Sequence, residues 1–178
     1  MAMLRKDCLK IIFLHFIFLV AVKIIHDPVL VNGDVALIGR VCSITPYPAD
    51  CHNCLDSNPL SSRVDMRGLA GIAINCSYAA AVDLDNLFNE YVQYGQSQYE
   101  FCFQQFDYVV QNVSSALQSW KNNRYPESQN LVTKAVGAYL KCHNNLIDMR
   151  YLEPFLVGLA KTRSSCDNAI GILSRIGS

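Results

Sequence analysis

The chain has 178 residues, 51% of them hydrophobic and 17% charged, and its 15 Lys plus Arg balance 15 Asp plus Glu for a formal net charge of zero. That length supports one domain with a sizeable core. The charges are scattered, with no basic run or stripe, which argues against nucleic acid or a membrane surface as partner.

At the N-terminus, Arg5, Lys6 and Lys10 accompany the apolar run IIFLHFIFLVAV (11–22), the pattern of a secretory signal. The run is short for a membrane span of about 20 residues, and Lys23 interrupts it. A retained signal anchor is the competing reading, but no second apolar stretch of spanning length follows. Val31 and Gly33 fit the small-residue rule at a cleavage site, so residues 1–33 are expected to be removed ahead of Asp34. Cleavage takes away four basic residues (Arg5, Lys6, Lys10, Lys23) and two acidic ones (Asp7, Asp27), leaving 11 against 13 and a net charge of −2.

Seven of the eight cysteines lie in the mature part, at 42, 51, 54, 76, 102, 142 and 166. In an oxidising compartment they are disulfide candidates first and ligands or nucleophiles second. Seven is odd, so at least one stays free or pairs outside the chain.

Residues 34–62 predict a small helical hairpin. VALIGRVC and ADCHNCLDS each supply about two helical turns, and Pro46 and Pro48 forbid continuous helix between them. Two helices so short bury too little to hold themselves together. A Cys42–Cys51 bridge would instead restrict the denatured chain, worth roughly 3 kcal/mol for a ten-residue loop in the chain-entropy model.

From residue 63 to 178 the apolar spacing is helical throughout, with no period-two alternation. The first long segment starts after Asp65, a good N-cap, and runs through Leu69, Ile72, Cys76 and Ala79 to about Tyr94. The second carries Tyr99, Cys102, Phe106, Val109, Val113, Leu117 and Trp120. The third carries Val132, Ala135, Tyr139, Cys142, Leu146 and Met149, and the fourth Leu152, Leu156, Leu159, Arg163, Cys166, Ile170 and Leu173. Pro126 and Pro154 stand where the third and fourth helices begin, and Gly68 and Gly71 read as helix–helix packing positions. Connectors at 94–98, 122–126 and 148–154 are short, so neighbours run antiparallel. The expected fold is all-α, an up-down-up-down four-helix bundle with an N-terminal helical hairpin.

Cys102 and Cys142 fall on the core stripes of adjacent segments. They can bridge if their Cα atoms come within about 7 Å, or stay as two buried thiols acting as small hydrophobes. CHNC (51–54) raises the idea of a redox pair or a metal site with His52. A redox motif of that kind opens a helix in a βαβ unit, which this chain lacks, and zinc needs four ligands, with only His143 as a second mature histidine. Cys54, Cys76 and Cys166 are then left over; one choice pairs Cys54 with Cys76 and leaves Cys166 buried and free. No cofactor and no catalytic constellation is expected: there is no Gly-rich phosphate loop and no G-x-S-x-G, and the carboxylates lie along solvated helical faces. The sequons Asn75-Cys76-Ser77 and Asn112-Val113-Ser114 offer two N-glycosylation sites, both inside predicted helices.

The pattern Cys42-x-x-Thr45-x-Tyr47-Pro48-x-x-Cys51, followed by Leu55, resembles the opening of the plant invertase and pectin methylesterase inhibitors. DSNPLSSRVDMRGLAGIAI (56–74) is similar to the family's Asp-x-x-Pro-x-Ser and Asp-x-x-Gly-Leu stretch. Tyr99 three residues before Cys102, Tyr125 seventeen before Cys142, and Cys166 at the place of an unpaired fifth cysteine extend the likeness over about residues 38–176. The resemblance implies bridges Cys42–Cys51 and Cys102–Cys142. It also implies a secreted, monomeric protein of the apoplast or cell wall that is no enzyme, and that caps the substrate cleft of a carbohydrate-active enzyme in a one-to-one complex. Three features depart from the pattern: His143, Asn144 and Asn145 follow Cys142 where acidic residues are usual, the 94–98 connector is short, and Tyr125-Pro126-Glu127 replaces the Pro-Lys-Phe of many invertase inhibitors. The last favours pectin methylesterase over invertase as the partner. A non-inhibitory helical binding module of the same fold and a redox or metal protein are the alternatives from other classes.

Overall fold

The computed structural model describes residues 35–149 and 155–176, all within one unit, Gly33–Ser178. The expected signal segment and cleavage site, with Leu152 and Pro154, lie outside the described residues. Six α-helices carry the described chain: α1 (Val35–Ser43), α2 (Pro48–Asp56), α3 (Met66–Gln93), α4 (Glu100–Lys121), α5 (Tyr125–Met149) and α6 (Leu156–Leu173). Helices α3 to α6 form a four-helix bundle in which α3 packs on α4 and α6, and α5 packs on the same two. The α1–α2 hairpin sits against α3 and α6.

Local chemistry sets the helix ends. Asp65 is extended at the start of α3 and its carboxylate accepts from Gly68 N at 2.9 Å, satisfying one of the orphan amides of the first turn. At the other end, Gly95 takes φ +80°, with Gly95 N donating to Val92 O and Gln96 N to Tyr91 O. Asn123 repeats the device after α4 at φ 58°, with Asn123 N to Trp120 O and Arg124 N to Ser119 O. Both are Schellman caps, using the two residue types that enter the left-handed region most readily. They reverse the chain within a few residues and so set α3, α4 and α5 antiparallel.

The core joins aliphatic layers from α4 and α5 to an aromatic cluster. Phe106, Val109 and Val113 of α4 and Val132, Ala135, Tyr139 and Leu146 of α5 are buried, as their spacing predicts. Phe88 of α3 stacks on Phe155 at 4.2 Å between centroids, and Tyr91 and Tyr99 meet Phe155 edge-on. Two stripes differ from expectation. In α3 the buried positions are Leu69, Ala70, Gly71, Ala73, Ile74, Ser77, Ala80, Ala81, Leu84 and Phe88; Ile72 and Cys76 are half-buried and Ala79 is exposed. Helix α3 is contacted by α1, α2, α4 and α6, so its buried arc is wide and its runs of small residues give no contrast to centre it. In α6, Leu156 is 43% exposed and Ile170 half-buried, whereas the polar Thr162 and Asn168 are buried. Thr162 Oγ1 donates to Ala80 O at 3.2 Å, and Asn168 is fully engaged, so both can be buried without desolvation cost beyond their bonds.

Asn168 is what docks the hairpin. Its Oδ1 accepts from Tyr47 N at 3.0 Å and its Nδ2 donates to Tyr47 O at 2.9 Å, so one side-chain amide closes both backbone groups of the proline turn. Thr45 Oγ1 donates to Cys42 O within the same turn, and Ile38, Val41, Cys42, Cys51 and Leu55 bury the hairpin's apolar side.

Three bridges run through the fold: Cys42–Cys51 within the hairpin, Cys54–Cys76 from α2 to α3, and Cys102–Cys142 from α4 to α5, with Cα separations of 5.4, 6.2 and 4.7 Å. Cys51 and Cys54 therefore belong to different bridges and do not pair as a C-x-x-C couple. Cys166 is a buried free thiol, its pKa pushed up to about 12 by burial.

Gly71 and Gly68 play different parts. A Cβ on Gly71 would lie 2.3 Å from the Trp120 indole, whose Nε1 donates to Arg67 O at 2.9 Å, so Gly71 is the close-approach point of α3 and α4. Gly68 instead lies under Val64 of its own approach segment, 2.4 Å from Cβ to Cβ, so its packing is local and does not join two helices.

Gly71→Ala is expected to cost about 1–3 kcal/mol by overpacking against Trp120. Gly137→Ala, on an exposed turn of α5 with nothing within 4 Å, should gain about 0.5–1 kcal/mol from reduced chain entropy. Thermal denaturation with opposite shifts in Tm would check the pair. Asn168→Ala should lose about 1–2 kcal/mol by stranding Tyr47 N, since Tyr47 O still accepts from Cys51 N, visible as a lowered urea midpoint at unchanged slope.

Candidate functional site

The sequence-derived site residues do not converge on a pocket. The six bridge cysteines are consumed in covalent frame. His52 lies on the hairpin surface with Nδ1 3.2 Å from Asp56 Oδ2, while His143 stacks on Tyr139 of α5, so the two imidazoles of the described residues sit in separate settings. Among the described residues no group of three or more His, Cys, Asp and Glu is placed to hold a metal ion. Asn75 is exposed on α3, while the Ser77 hydroxyl of its sequon is buried and donates to Ala73 O at 3.0 Å. Asn112 is half-buried on α4, its Nδ2 donating to Tyr108 O at 2.7 Å.

The outside of the bundle is more eventful. On α4, Phe101, Gln104, Tyr108 and Gln111 recur at helical spacing and face solvent, with Tyr108 55% and Phe101 41% exposed. Phe103, Gln104, Asp107 and Tyr108 line a shallow open groove of about 440 Å³. Exposed aromatic side chains such as Tyr108 and Phe101 are what protein interfaces enrich at their centres, whereas amides and a carboxylate beside them suit a polar rim.

Along the seam with α3, Asp107 repels Asp85. Asp85 Oδ1 is buried and has no hydrogen-bond partner, and burial, with Asp107 as the lesser cause, raises the Asp85 pKa from 3.8 to about 6. Asp107 is held by Gln111, whose Nε2 donates to Oδ2 at 2.8 Å. The two acids are 22 positions apart in sequence, and each alone reads as a solvated helix residue. Only the antiparallel register of α3 and α4 brings them together.

Helices α5 and α6 meet in a different polar arrangement. Arg163 pairs with Asp167 along α6 and lies over the Tyr139 ring at 5.9 Å. Burial raises the Tyr139 pKa, against the lowering influence of Arg163. Every member here is engaged, so this is a structural lock.

A second concavity, of about 650 Å³, opens between α2, α3 and α6, lined by Asp50, Asn53, Ser57, Lys161 and Ser164 around the Cys54–Cys76 bridge. Lys161 Nζ pairs with Asp83 Oδ2 at 3.3 Å, an exposed pair that contributes little to stability.

The arrangement defines a class: a helical bundle cross-linked by disulfides, with aromatic and amide side chains standing on its exterior. The sequence model described as plant invertase/pectin methylesterase inhibitor matches residues 36–172, and the chain belongs to that family. A crystal structure of a mutant form of a pectin methylesterase inhibitor from Arabidopsis superposes with TM-score 0.67 at 16% identity, covering 77% of this chain and 95% of that one. A crystal structure of a pectin methylesterase inhibitor from Arabidopsis thaliana gives TM-score 0.60 at 15% identity, with 80% and 97% covered. At those identities the likeness shows the fold. No match was found among curated proteins.

The Asp85 shift carries a pH dependence of fixed sign. Its folded pKa lies above the unfolded 3.8, so the neutral acid is favoured in the fold and stability is full below about pH 4. Stability then declines as pH rises through about 6, where the folded group ionises. Asp85→Asn is expected to be near neutral at pH 4 and to stabilise at pH 7 by roughly 1 kcal/mol after solvent screening. Paired Tm measurements at the two pH values check it.

Proposed function

We propose that this protein is a secreted inhibitor of pectin methylesterase that lays the α3–α4 face over the enzyme's substrate cleft in a one-to-one complex. The single observation behind this reading is the family match across residues 36–172, nearly the whole of the described fold. Both solved neighbours are pectin methylesterase inhibitors by title, and the absent Pro-Lys-Phe at the head of α5 points the same way against invertase. In this reading the protein acts as a monomer without a cofactor and is no enzyme. It reaches the apoplast by loss of residues 1–33, and no helix among the described residues is long and apolar enough to cross a membrane.

Docking draws on rigidity. Side chains on cross-linked helices lose little freedom on binding, so Tyr108 and Phe101 act as preorganised anchors with Gln104 and Gln111 supplying hydrogen bonds around them. Asn75, exposed on α3, carries a glycan in this reading; Asn112 lies one turn beyond Tyr108, where a glycan would crowd the docking face.

Titrating purified, oxidised protein into a pectin methylesterase and, separately, an invertase at mildly acidic pH tests the assignment. The expected outcome is a linear fall of the esterase rate to an endpoint near one equivalent, with invertase untouched. Loss of invertase activity alone would reassign the target, and loss of neither would leave a non-inhibitory binding module. Tyr108→Ala should weaken inhibition about tenfold or more at unchanged Tm, corresponding to a truncated anchor worth over 1 kcal/mol.

A further inference from the structure

The three bridges differ in their surroundings. Cys42, Cys51, Cys102 and Cys142 are at most 2% exposed, enclosed by the hairpin and by the α4–α5 core. Cys54 and Cys76 are half-buried and form part of the wall of the open concavity between α2, α3 and α6. Asp50, Ser57 and Ser164 line the space together with Ala79, Val157 and Ala160, and it opens to solvent. A thiolate must approach a disulfide sulfur to exchange with it, so access separates a labile bridge from an inert one. Lys161 on the same wall is paired with Asp83 and the Asp50 carboxylate also lines the space, so access rather than charge sets this bridge apart.

We infer that Cys54–Cys76 is a reducible tether, opened selectively in the folded protein by a dithiol reductant that enters the α2–α3–α6 concavity. The exchange balances within the two partners. A reductant thiolate attacks one protein sulfur and displaces the other as thiolate, forming a mixed disulfide; the reductant's second thiolate then displaces the remaining protein sulfur. The protein disulfide gains two electrons and two protons to become the thiols of Cys54 and Cys76, and the reductant leaves as its own intramolecular disulfide. Cys166 does not divert the reaction: it is buried, and burial holds it as the protonated thiol.

Opening the tether loosens the hairpin without releasing it. Helix α2 keeps its covalent link to α1 through Cys42–Cys51, its buried Leu55, and the Asn168–Tyr47 pair that holds the turn to α6. What is lost is the only disulfide from the hairpin to α3 among the described residues, leaving the backbone at 57–65 as the remaining covalent link. The α4–α5 pair, with its own bridge, is untouched.

The experiment exposes the native mature protein to dithiothreitol at pH 7 without denaturant, quenches with iodoacetamide at intervals, and maps alkylation by mass spectrometry. Cys54 and Cys76 should be modified together at least tenfold faster than the other four bridge cysteines. Hydrogen exchange on the species reduced at this bridge should show at least tenfold faster exchange in 48–56, with 100–149 unchanged. The Cys54→Ser/Cys76→Ser double variant should reproduce that exchange pattern without reductant. Simultaneous opening of all three bridges, earlier opening of another bridge, or no opening until denaturant is added would each overturn the proposal. So would selective opening with no change in exchange at 48–56.

Discussion

Two nine-residue helices cannot bury enough apolar surface to stay folded alone, and the N-terminal part of this protein is organised around that constraint. The chain answers it three times over in different currencies. Cys42–Cys51 restricts the unfolded hairpin, Cys54–Cys76 fastens it to α3, and the Asn168 amide takes over the backbone of the proline turn. The last device is the most specific. A disulfide tolerates some rotation about its bonds, whereas a side-chain amide that must accept from Tyr47 N and donate to Tyr47 O admits one orientation. Register between hairpin and bundle thus comes from a polar pair, and covalent links add strength to an orientation already chosen.

The bundle itself solves a different problem, the approach of long helices without voids. Trp120 is too large to lie flat between two helices carrying ordinary side chains, so Gly71 gives it a slot, and Gly158 does the same for Leu84 between α6 and α3. The Schellman turns after α3 and α4 keep the connectors short, which removes freedom that longer loops would retain. The outcome is a frame whose exterior geometry is set by its interior.

Much of this frame was legible in the sequence, and the failures have a common cause. Helices α4 and α5 alternate strongly apolar residues with Gln, Asn, Ser and Lys, so their buried faces could be read by spacing alone. Helix α3 is rich in Ala and other small residues on all sides, and periodicity cannot centre a face when both faces are small. In α6 the buried positions include Thr162 and Asn168, whose burial depends on acceptors at Ala80 and Tyr47 that are distant in sequence. The outer face was less legible still. Tyr108 and Gln104 look like ordinary surface residues in one dimension, and Asp85 and Asp107 become a pair only after α3 and α4 fold back on each other. Spacing likewise left the partner of Cys54 open, since Cys76 was one of several remaining sulfurs.

Asp85 costs the fold stability rather than adding to it. A carboxylate with a buried, unpartnered oxygen beside a second acid lowers stability at neutral pH, and an amide at the same position would relieve the repulsion without changing the shape. Departures of this kind, in a chain whose other buried polar groups are mostly satisfied, mark positions held by something other than folding. The pair lies on the seam beside the groove of Phe103, Gln104, Asp107 and Tyr108, the same part of the surface where large aromatic side chains stand in solvent. Two costs of different kind, exposed apolar area and uncompensated like charge, therefore fall on one face of the bundle. A partner presenting positive charge and an apolar recess would remove both on contact, because the acids would gain a counter-charge and the aromatic rings would leave water.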